Sequence, residues 1–270
     1  MNSPKQVLVS GGFDDIKARD LRFLEEASKL GELTVLLWSD EAFQKLNGVA
    51  PKFPVVERNY FLNAVRYVNR VIVSEATGGP ARDDLRPDIW AEVENKHTQT
   101  LEKNFGVAGI EHRIFKPAEL AGFPEPPPMP SAPGRKKIIA TGCYDWFHSG
   151  HVRFTEEAST YGDLYICLGS DANVRLLKGE GHPLLSESER RYVVGSIKYV
   201  KQALITTGSG WVDADPEIRR LKPDIYIVNE DGDKGGKREY CQKLGIEYLV
   251  LKRAPAPGLP QRSSTGLRGF

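Results

Sequence analysis

Residues 137–158 read KIIATGCYDWFHSGHVRFTEEA, and this stretch decides the fold. A short apolar run is followed by a turn that begins at Gly142 and then by an amphipathic run that begins near Gly150. The apolar run predicts a buried strand and the amphipathic run predicts a helix. His148 and His151 fall where the strand turns into the helix.

The same alternation continues along the rest of the chain. Apolar runs predict further strands at 164–169, 203–206, 224–228 and 247–251, with helices at 172–177, 186–199, 216–221 and 237–244. Short, nearly continuous apolar strands between helices indicate a parallel sheet that is covered on both faces. The predicted fold class is therefore doubly wound α/β, with ligands bound beyond the carboxyl ends of the strands.

Part of this sequence occurs twice in the chain. Residues 21–31 (LRFLEEASKLG) agree with residues 152–162 (VRFTEEASTYG) at seven of eleven positions. The first copy carries Lys17 and Asp20 where the second copy carries the two histidines. Its apolar runs predict strands at 7–10, 33–38 and 71–73 and helices at 18–30 and 56–68. We therefore expect two tandem Rossmann-like domains. The first lacks the histidines and is expected to be catalytically inactive.

A proline-rich segment separates the two copies. Residues 116–134 hold seven prolines, a composition that favours an extended spacer over a helix or a central strand. The predicted organisation is a degenerate domain at 1–116, a linker at 117–135 and a catalytic domain at 136–270.

Composition argues against several classes of protein. The net charge of +1 gives no reason to expect a nucleic acid or a membrane surface as partner. The chain has no apolar run of the roughly 18 residues that a membrane span needs. Three cysteines without CxxC spacing and an N-terminus without a signal sequence predict a cytoplasmic protein with reduced thiols.

The turn around the two histidines is suited to phosphate. Backbone N–H groups of the turn and of the helix N-terminus point to one place, and the imidazoles, three residues apart, project to the same side. Such imidazoles can donate hydrogen bonds to phosphate oxygens while negative charge builds on them during an in-line displacement at phosphorus. A metal site here lacks an obvious fourth ligand, and metal binding stays an open question. The candidate nucleotide-binding residues of this stretch are Thr141, Gly142, Cys143, Tyr144 and Gly150.

Three other sets of residues are candidates for the same site. Lys178, before Gly179, brings an ammonium to a triphosphate or is a solvated lysine at a helix end. The hydroxyls of Ser263, Ser264 and Thr265 suit a phosphate cradle and equally suit a helix N-cap. Asp145 and Trp146 contact an acceptor or only set the turn. On the residues alone, each pair of alternatives stays open.

Four separated motifs resemble those of one family. TGCYDWFHSGH (141–151) resembles the (T/D)GxFDxxHxGH signature of the cytidylyltransferase-like nucleotidyltransferases, which share a Rossmann-like sheet. SDANVRLLKGE (170–180) resembles a stretch of the sugar-phosphate adenylyltransferases, the ER pair at 189–190 matches a family helix, and RSSTGLR (262–268) matches the C-terminal motif. The four occur in family order across 136–270.

The resemblance implies transfer of a nucleotide from CTP or ATP, bound with Mg²⁺, to a phosphorylated small molecule, with release of pyrophosphate. The acceptor would be a sugar phosphate or a phospho-alcohol. His148 and His151 would stabilise the transition state, and Lys178 would contact the triphosphate. The resemblance alone adds Arg190, Arg191 and Arg268 as phosphate ligands and Asn229 as an acceptor contact.

Several points stay open at this stage. The acidic segment 229–233 either holds Mg²⁺ or repels a strongly anionic acceptor, and the choice between CTP and ATP is undecided. The resemblance allows a homodimer through the nucleotidyl domain. The first copy is either a scaffold or a regulator that binds an anion. The alternative for the whole chain is a catalytically silent protein that only binds a nucleotide.

Overall fold

The chain divides into two units, and each is built around one parallel sheet. A computed structural model describes residues 3–77, 85–94 and 109–267. The first unit is Met1–Gly122 and the second is Phe123–Phe270. Each contains a five-stranded sheet. The predicted fold class, doubly wound parallel α/β in each half of the chain, is confirmed.

The first unit has the strand order β3-β2-β1-β4-β5. Its strands are β1 (Gln6–Gly11), β2 (Glu32–Trp38), β3 (Arg70–Ser74), β4 (Ile89–Val93) and β5 (Glu111–Phe115). Its described helices are α1 (Ala18–Ser28), α2 (Asp40–Asn47) and α3 (Val55–Ala64), and a 3₁₀ turn follows at Pro117–Leu120. All of these strands pair in parallel.

The second unit repeats this order as β8-β7-β6-β9-β10. Its strands are β6 (Lys137–Gly142), β7 (Asp163–Leu168), β8 (Val200–Ile205), β9 (Ile225–Asn229) and β10 (Glu247–Leu251). Its helices are α4 (Ser149–Ser159), α5 (Asp171–Lys178), α6 (Glu187–Gly195), α7 (Asp215–Leu221), α8 (Lys237–Leu244) and α9 (Ser264–Leu267). Short 3₁₀ turns lie at Gly210–Val212 and Glu230–Gly232.

The central strand β6 is buried because helices cover both faces of the sheet. Ile138 and Ile139 are fully buried, and Ile138 pairs with Leu164 of β7 on one side and with Ile225 of β9 on the other. A strand in this position has no polar face, which is why the sequence shows a continuous apolar run there. The carboxyl end of β6 therefore opens at the middle of the sheet edge.

The glycine that ends the repeated segment, Gly31 or Gly162, lies against the backbone in the same way in both units. A Cβ at Gly162 would lie 2.2 Å from the carbonyl oxygen of Lys136, and a Cβ at Gly31 would lie 2.1 Å from that of Lys5. Only glycine lets the chain pass this close to the start of the central strand. The repeat thus preserves the path of the chain as well as its apolar pattern.

The proline-rich segment, which is predicted to be an extended spacer, makes defined contacts at two places. Residues 117–120 form the 3₁₀ turn of the first unit. Further along, the backbone N–H of Met129 donates to the carbonyl of Lys201 in β8 at 2.9 Å. Pro126 lies against Gly195, where a Cβ would come within 2.8 Å of the proline ring. Because β8 is an edge strand, this part of the segment covers the edge and shields it from pairing with other chains.

No helix in the part of the chain that the structure describes combines the length and the apolar character that a membrane crossing requires.

Candidate active site

A cleft opens in the second unit where the strand order reverses. From β6 the chain moves outward through β7 and β8 and then returns to the other side of β6 as β9. In doubly wound sheets, ligands bind at this switch point, beyond the carboxyl ends of the strands. The cleft is lined by Thr141, Gly142, Cys143, Tyr144, His148, Gly150, His151, Phe154, Ile227, Val228, Asn229, Asp231, Gly232, Lys237 and Arg253.

Two glycines make room for the aromatic rings of the turn. Tyr144 has a φ of +54°, and its ring folds back to a point 2.7 Å from where a Cβ of Gly142 would lie. A Cβ at Gly150 would lie 2.9 Å from the imidazole of His148. Larger side chains at these two positions would displace the rings, so the motif needs glycine for steric reasons.

The two histidines are fixed by backbone hydrogen bonds at the start of α4. His148 is the N-cap residue, and its Nδ1 accepts from the backbone N–H of Gly150 at 3.1 Å. The Nδ1 of His151 accepts from the backbone N–H of His148 at 3.4 Å. The imidazoles stack with their centroids 4.0 Å apart. Both rings are therefore held side by side at the cleft.

Both histidines are neutral at physiological pH. Burial, together with the charges of Arg253 and Arg262, lowers the pKa of His148 to about 4. Burial lowers the pKa of His151 well below its usual value, and His148, Arg253 and Lys178 add to the effect. A neutral imidazole whose Nδ1 accepts a hydrogen bond carries its proton on Nε2. Each ring thus keeps an Nε2–H donor for a ligand.

We expect this neutral state to persist on acidification. Between about pH 6.5 and pH 4, the unfolded chain binds protons at these histidines that the folded chain does not, so stability falls as the pH falls through that window. NMR of the imidazole nitrogens should show a midpoint near 4 for His148. Variants His148→Gln and His151→Gln assign the signals. A midpoint near the usual 6.5 would contradict the burial argument.

Two cations of the cleft were not predicted from the sequence. Arg253 follows β10, and its guanidinium donates to Asp231 and to the carbonyl of Arg262. Lys237 begins α8, and its Nζ donates to the carbonyl of Gly232 at 2.9 Å. Both residues follow the carboxyl ends of strands, and this position is the feature from which the sequence could have predicted them. With two neutral donors and two cations, the cleft is suited to an anion.

Arg190 has a different position from the one that its motif implies. It is fully buried, and its guanidinium donates to the carbonyls of Cys143, Gly169 and Leu185. It also pairs with Asp171 at 2.7 Å. A phosphate would have to displace these partners, so the geometry gives Arg190 a structural part in place of the predicted phosphate contact.

The first unit repeats this arginine network without the histidines. Arg58 is also fully buried and donates to the carbonyls of Gly12, Trp38 and Phe53, and it pairs with Asp40. Because the first unit keeps this arginine network without the histidines, the network stabilises the turn after the central strand in both units. This is the physical reason for assigning Arg190 a structural part.

The hydrogen bonds of Asp145 also have a counterpart in the first unit. Its Oδ1 accepts from the backbone N–H groups of Leu184 and Leu185, at 2.7 and 3.0 Å. Asp14 accepts in the same way from Lys52 and Phe53 in the first unit. Of the two alternatives for Asp145, the structure therefore favours setting the turn over contacting an acceptor.

Three further predicted residues lie outside the lining of the cleft. Lys178 is exposed at the end of α5, and its charge helps to lower the pKa of His151. Arg191 pairs with Glu125 of the proline-rich segment at 2.8 Å. Trp146 is linked to the C-terminal motif, since its carbonyl accepts from the hydroxyl of Ser264 at 3.2 Å. The structure brings none of these three side chains into the lining.

The C-terminal motif is only partly described. The hydroxyl of Ser263 accepts from the backbone N–H of Gly266 at 3.1 Å and so caps the short helix α9. Arg268 and the side chain of Thr265 lie outside the described residues. Because Ser264 bonds to the turn after β6, the motif is attached to the histidine site.

At the corresponding place, the first unit carries a carboxylate and an ion-pair network. Asp20 accepts from the backbone N–H of Lys17 at 2.8 Å, which replaces the bond from His148 to His151. The ammonium of Lys17 pairs with Asp15 at 2.9 Å. The first copy therefore keeps the cap of the helix but replaces its imidazole donors.

Comparison with known proteins locates a family match in the second unit. The sequence profile of the cytidylyltransferase-like family matches residues 139–264. The chain is 36% identical over 120 residues to an FAD synthase of Ferroglobus placidus, an alignment that covers 43% of this chain and 75% of that protein. It is 36% identical over 135 residues to the bifunctional protein HldE of Geobacter metallireducens, covering 47% of this chain and 26% of the relative.

Among solved structures, the chain is similar to the lipopolysaccharide core biosynthesis protein of Thermoplasma volcanium. The TM-score is 0.38 at 23% identity, and the alignment covers 45% of this chain and 98% of that one. The chain spans about a quarter of the length of the HldE relatives that it matches. The profile and the FAD synthase alignment together show that the chain belongs to the cytidylyltransferase-like family of nucleotidyltransferases, whose domain lies in its second unit.

Proposed function

We propose that the second unit transfers a nucleoside monophosphate group from CTP or ATP to a phosphorylated small molecule, a sugar phosphate or a phospho-alcohol, and releases pyrophosphate. The observation that carries the proposal is the pair of neutral imidazoles, His148 and His151, fixed with their Nε2–H donors at the switch point of a nucleotidyltransferase domain.

The reaction is a direct displacement at the α-phosphorus. An oxygen of the acceptor phosphate forms the new P–O bond as the bond between the α-phosphorus and the bridging oxygen breaks, and pyrophosphate leaves with the electron pair. Charge builds on the oxygens of the α-phosphate in this transition state. Neutral Nε2–H donors that are already in place stabilise it without reorganisation.

The cations of the site would offset the negative charge of the triphosphate. Arg253 lines the same cleft as the histidines and would contact the triphosphate. Lys178 is at the end of α5, next to Gly179, and would approach the triphosphate as a mobile ammonium. Ser263 and Ser264 begin the C-terminal motif that bonds to the turn and would lie near the leaving pyrophosphate.

We propose that Mg²⁺ binds with the nucleotide. Among residues 3–77, 85–94 and 109–267, no group of three or more His, Cys, Asp or Glu side chains could hold a metal ion. The acidic segment after β9 is engaged locally, since Asp231 pairs with Arg253 and Asp233 with Arg238. These residues do not fit a resident metal site, and the phosphates of the nucleotide would be the main ligands.

We propose that the first unit is a scaffold without transfer activity. Its capping carboxylate Asp20 offers a hydrogen-bond acceptor where the second unit offers imidazole donors. An acceptor at this position repels phosphate. The pair Lys17–Asp15 further neutralises the cation that stands in place of His148.

The test is pyrophosphate release from each nucleoside triphosphate against a panel of sugar phosphates and phospho-alcohols. We expect release with CTP or ATP and with one class of acceptor, and ³¹P NMR of the product should show a new diphosphate linkage. Nucleotide binding without release against the whole panel would instead favour a silent nucleotide-binding protein and would overturn the proposal.

A further inference from the structure

Residues 123–131 form a strap along the helix α6 of the second unit. The ring of Phe123 packs on that of Tyr192, with the two centroids 6.0 Å apart. The guanidinium of Arg191 donates to the carboxylate of Glu125 at 2.8 Å. An apolar contact and an ion pair therefore attach the start of the strap to one helix.

Every third residue of the strap faces the sheet and the helix that it covers. Pro126 is buried and Phe123 and Met129 are partly buried, whereas the residues between them are exposed. A period of three is typical of an extended polyproline conformation. The backbone N–H of Met129 donates to the carbonyl of Lys201 in β8 at 2.9 Å. The strap is thus held on both α6 and β8, although it precedes residue 139, where the match to the family profile begins.

The helix α6 lies between the strap and the turn that carries the histidines. With 3.6 residues per helical turn, Arg191, Tyr192 and Gly195 share one side of the helix, and Arg190 lies on nearly the opposite side. Arg190 donates to the carbonyl of Cys143 in the turn at 2.7 Å. A displacement of the strap is therefore passed to the turn through one helix and one arginine.

The corresponding helix of the first unit, α3, carries different side chains on the side that faces the strap in α6. The two helices correspond residue by residue, since both contain Glu-Arg-x-Tyr. Asn59 stands in place of Arg191, and Asn63 stands in place of Gly195. The amide of Asn63 bonds to Asn59 within α3 at 2.9 Å. Both copies keep the arginine that supports the turn, but the arginine and the glycine that meet the strap occur in the copy with the histidines.

We propose that the strap positions the histidine turn through α6, and that Arg191 and Gly195 are positioning residues for the reaction. The inference rests on the proposed function. By holding one side of α6, the strap fixes where Arg190 supports the turn and so where His148 begins α4. Preorganised donors are sensitive to such shifts, since a misplacement of about 1 Å can lower a rate about a hundredfold. Arg191, which the motif implies as a phosphate ligand, contributes to the site through the strap.

The first test adds a single methyl group beneath the strap. In Gly195→Ala, the new Cβ would lie 2.8 Å from the ring of Pro126, so the proline or the helix must shift. The substitution does not weaken the helix itself, because alanine is a better helix former than glycine. Asn63→Ala, at the corresponding position of the first unit, is the matched control.

We expect Gly195→Ala to lower the turnover number for pyrophosphate release about fivefold or more, with the KM for the nucleotide within about twofold. Asn63→Ala should match the unmodified chain in both quantities. Unchanged turnover in Gly195→Ala, or an equal loss in Asn63→Ala, would overturn the inference.

A charge exchange separates the strap contact from a direct phosphate contact at Arg191. Arg191→Glu places two like charges together at Glu125, and we expect turnover to fall about fivefold or more. The double variant Glu125→Arg/Arg191→Glu restores opposite charges and should recover most of the loss. If the exchange recovers nothing, Arg191 acts on the substrate directly and the positioning role is wrong.

A further test does not depend on turnover. NMR of the imidazole nitrogens, without substrate, compares Gly195→Ala and Asn63→Ala with the unmodified chain. We expect the signals of His148 and His151 to shift in Gly195→Ala and to stay in place in Asn63→Ala. Unchanged signals in Gly195→Ala would overturn the inference while leaving the proposed function intact. If the unmodified chain shows no turnover but the signals still shift, the proposed function fails and the positioning role stands.

Discussion

Replacing His151 by alanine is expected to lower the turnover number for pyrophosphate release by about a hundredfold or more, the usual cost of losing one preorganised donor. The nucleotide KM should change little, because the Nε2–H bond strengthens as charge builds in the transition state. The measurement is steady-state pyrophosphate release at saturating nucleotide and acceptor. Turnover near that of the unmodified chain would refute the role of His151.

Controls separate catalysis from folding in this variant. His151 accepts from the backbone of His148 and stacks on its ring, so its loss also weakens the start of α4. His151→Gln keeps an amide N–H near the position of Nε2, and we expect it to retain more turnover than the alanine variant. Melting temperatures of both variants report the structural cost. If glutamine and alanine give equal turnover at equal stability, the donor has no part in catalysis.

Replacing Arg190 by methionine is expected to destabilise the second unit by roughly 3–5 kcal/mol, because three backbone carbonyls lose their charged donor at roughly 1–3 kcal/mol each, whereas Asp171 is 33% exposed and can be solvated. The change leaves Asp171 and three backbone carbonyls without their donor. Hydrogen exchange of the fragments that cover β6, β7 and α6 should accelerate. Lost activity with unchanged exchange would contradict the structural role and restore the direct phosphate contact implied by the motif.

Arg58→Met supplies the matched comparison in the first unit. Arg58 makes the corresponding bonds to Gly12, Trp38, Phe53 and Asp40. We expect its loss to accelerate exchange in β1, β2 and α3. Because both arginines support a turn after a central strand, the two variants should cost similar free energies in their own units.

The fold was largely predictable because it is encoded locally. The strand β6, the glycine turn and the helix α4 follow from apolar periodicity over one continuous stretch. Other boundaries depend on later contacts. The helix predicted to run through Tyr199 ends at Gly195, where the hydroxyl of Ser196 bonds back to Tyr192 and the chain turns into β8. The helix α2 was missed, although Ser39 caps it as Ser170 caps α5.

The site was only partly predictable because its parts meet through the order of the strands. His148 and His151 lie within one motif, and the structure places both in the lining of the cleft. Lys237 and Arg253 reach the same cleft because β9 pairs with β6, a long-range contact that no local pattern reports. Arg190 shows the opposite error, since a motif match alone assigned it to phosphate. Its counterpart Arg58, in the copy without histidines, was the signal that the residue is structural.

The most direct test of the central claim, that the second copy works and the first does not, compares two double variants. The assay is pyrophosphate release with the nucleotide and acceptor that the panel selects. We predict that His148→Ala/His151→Ala lowers release by about a hundredfold or more, while Lys17→Ala/Asp20→Ala stays within about twofold of the unmodified chain. Full activity in the histidine double variant, or an equal loss in the first-unit double variant, would contradict the account.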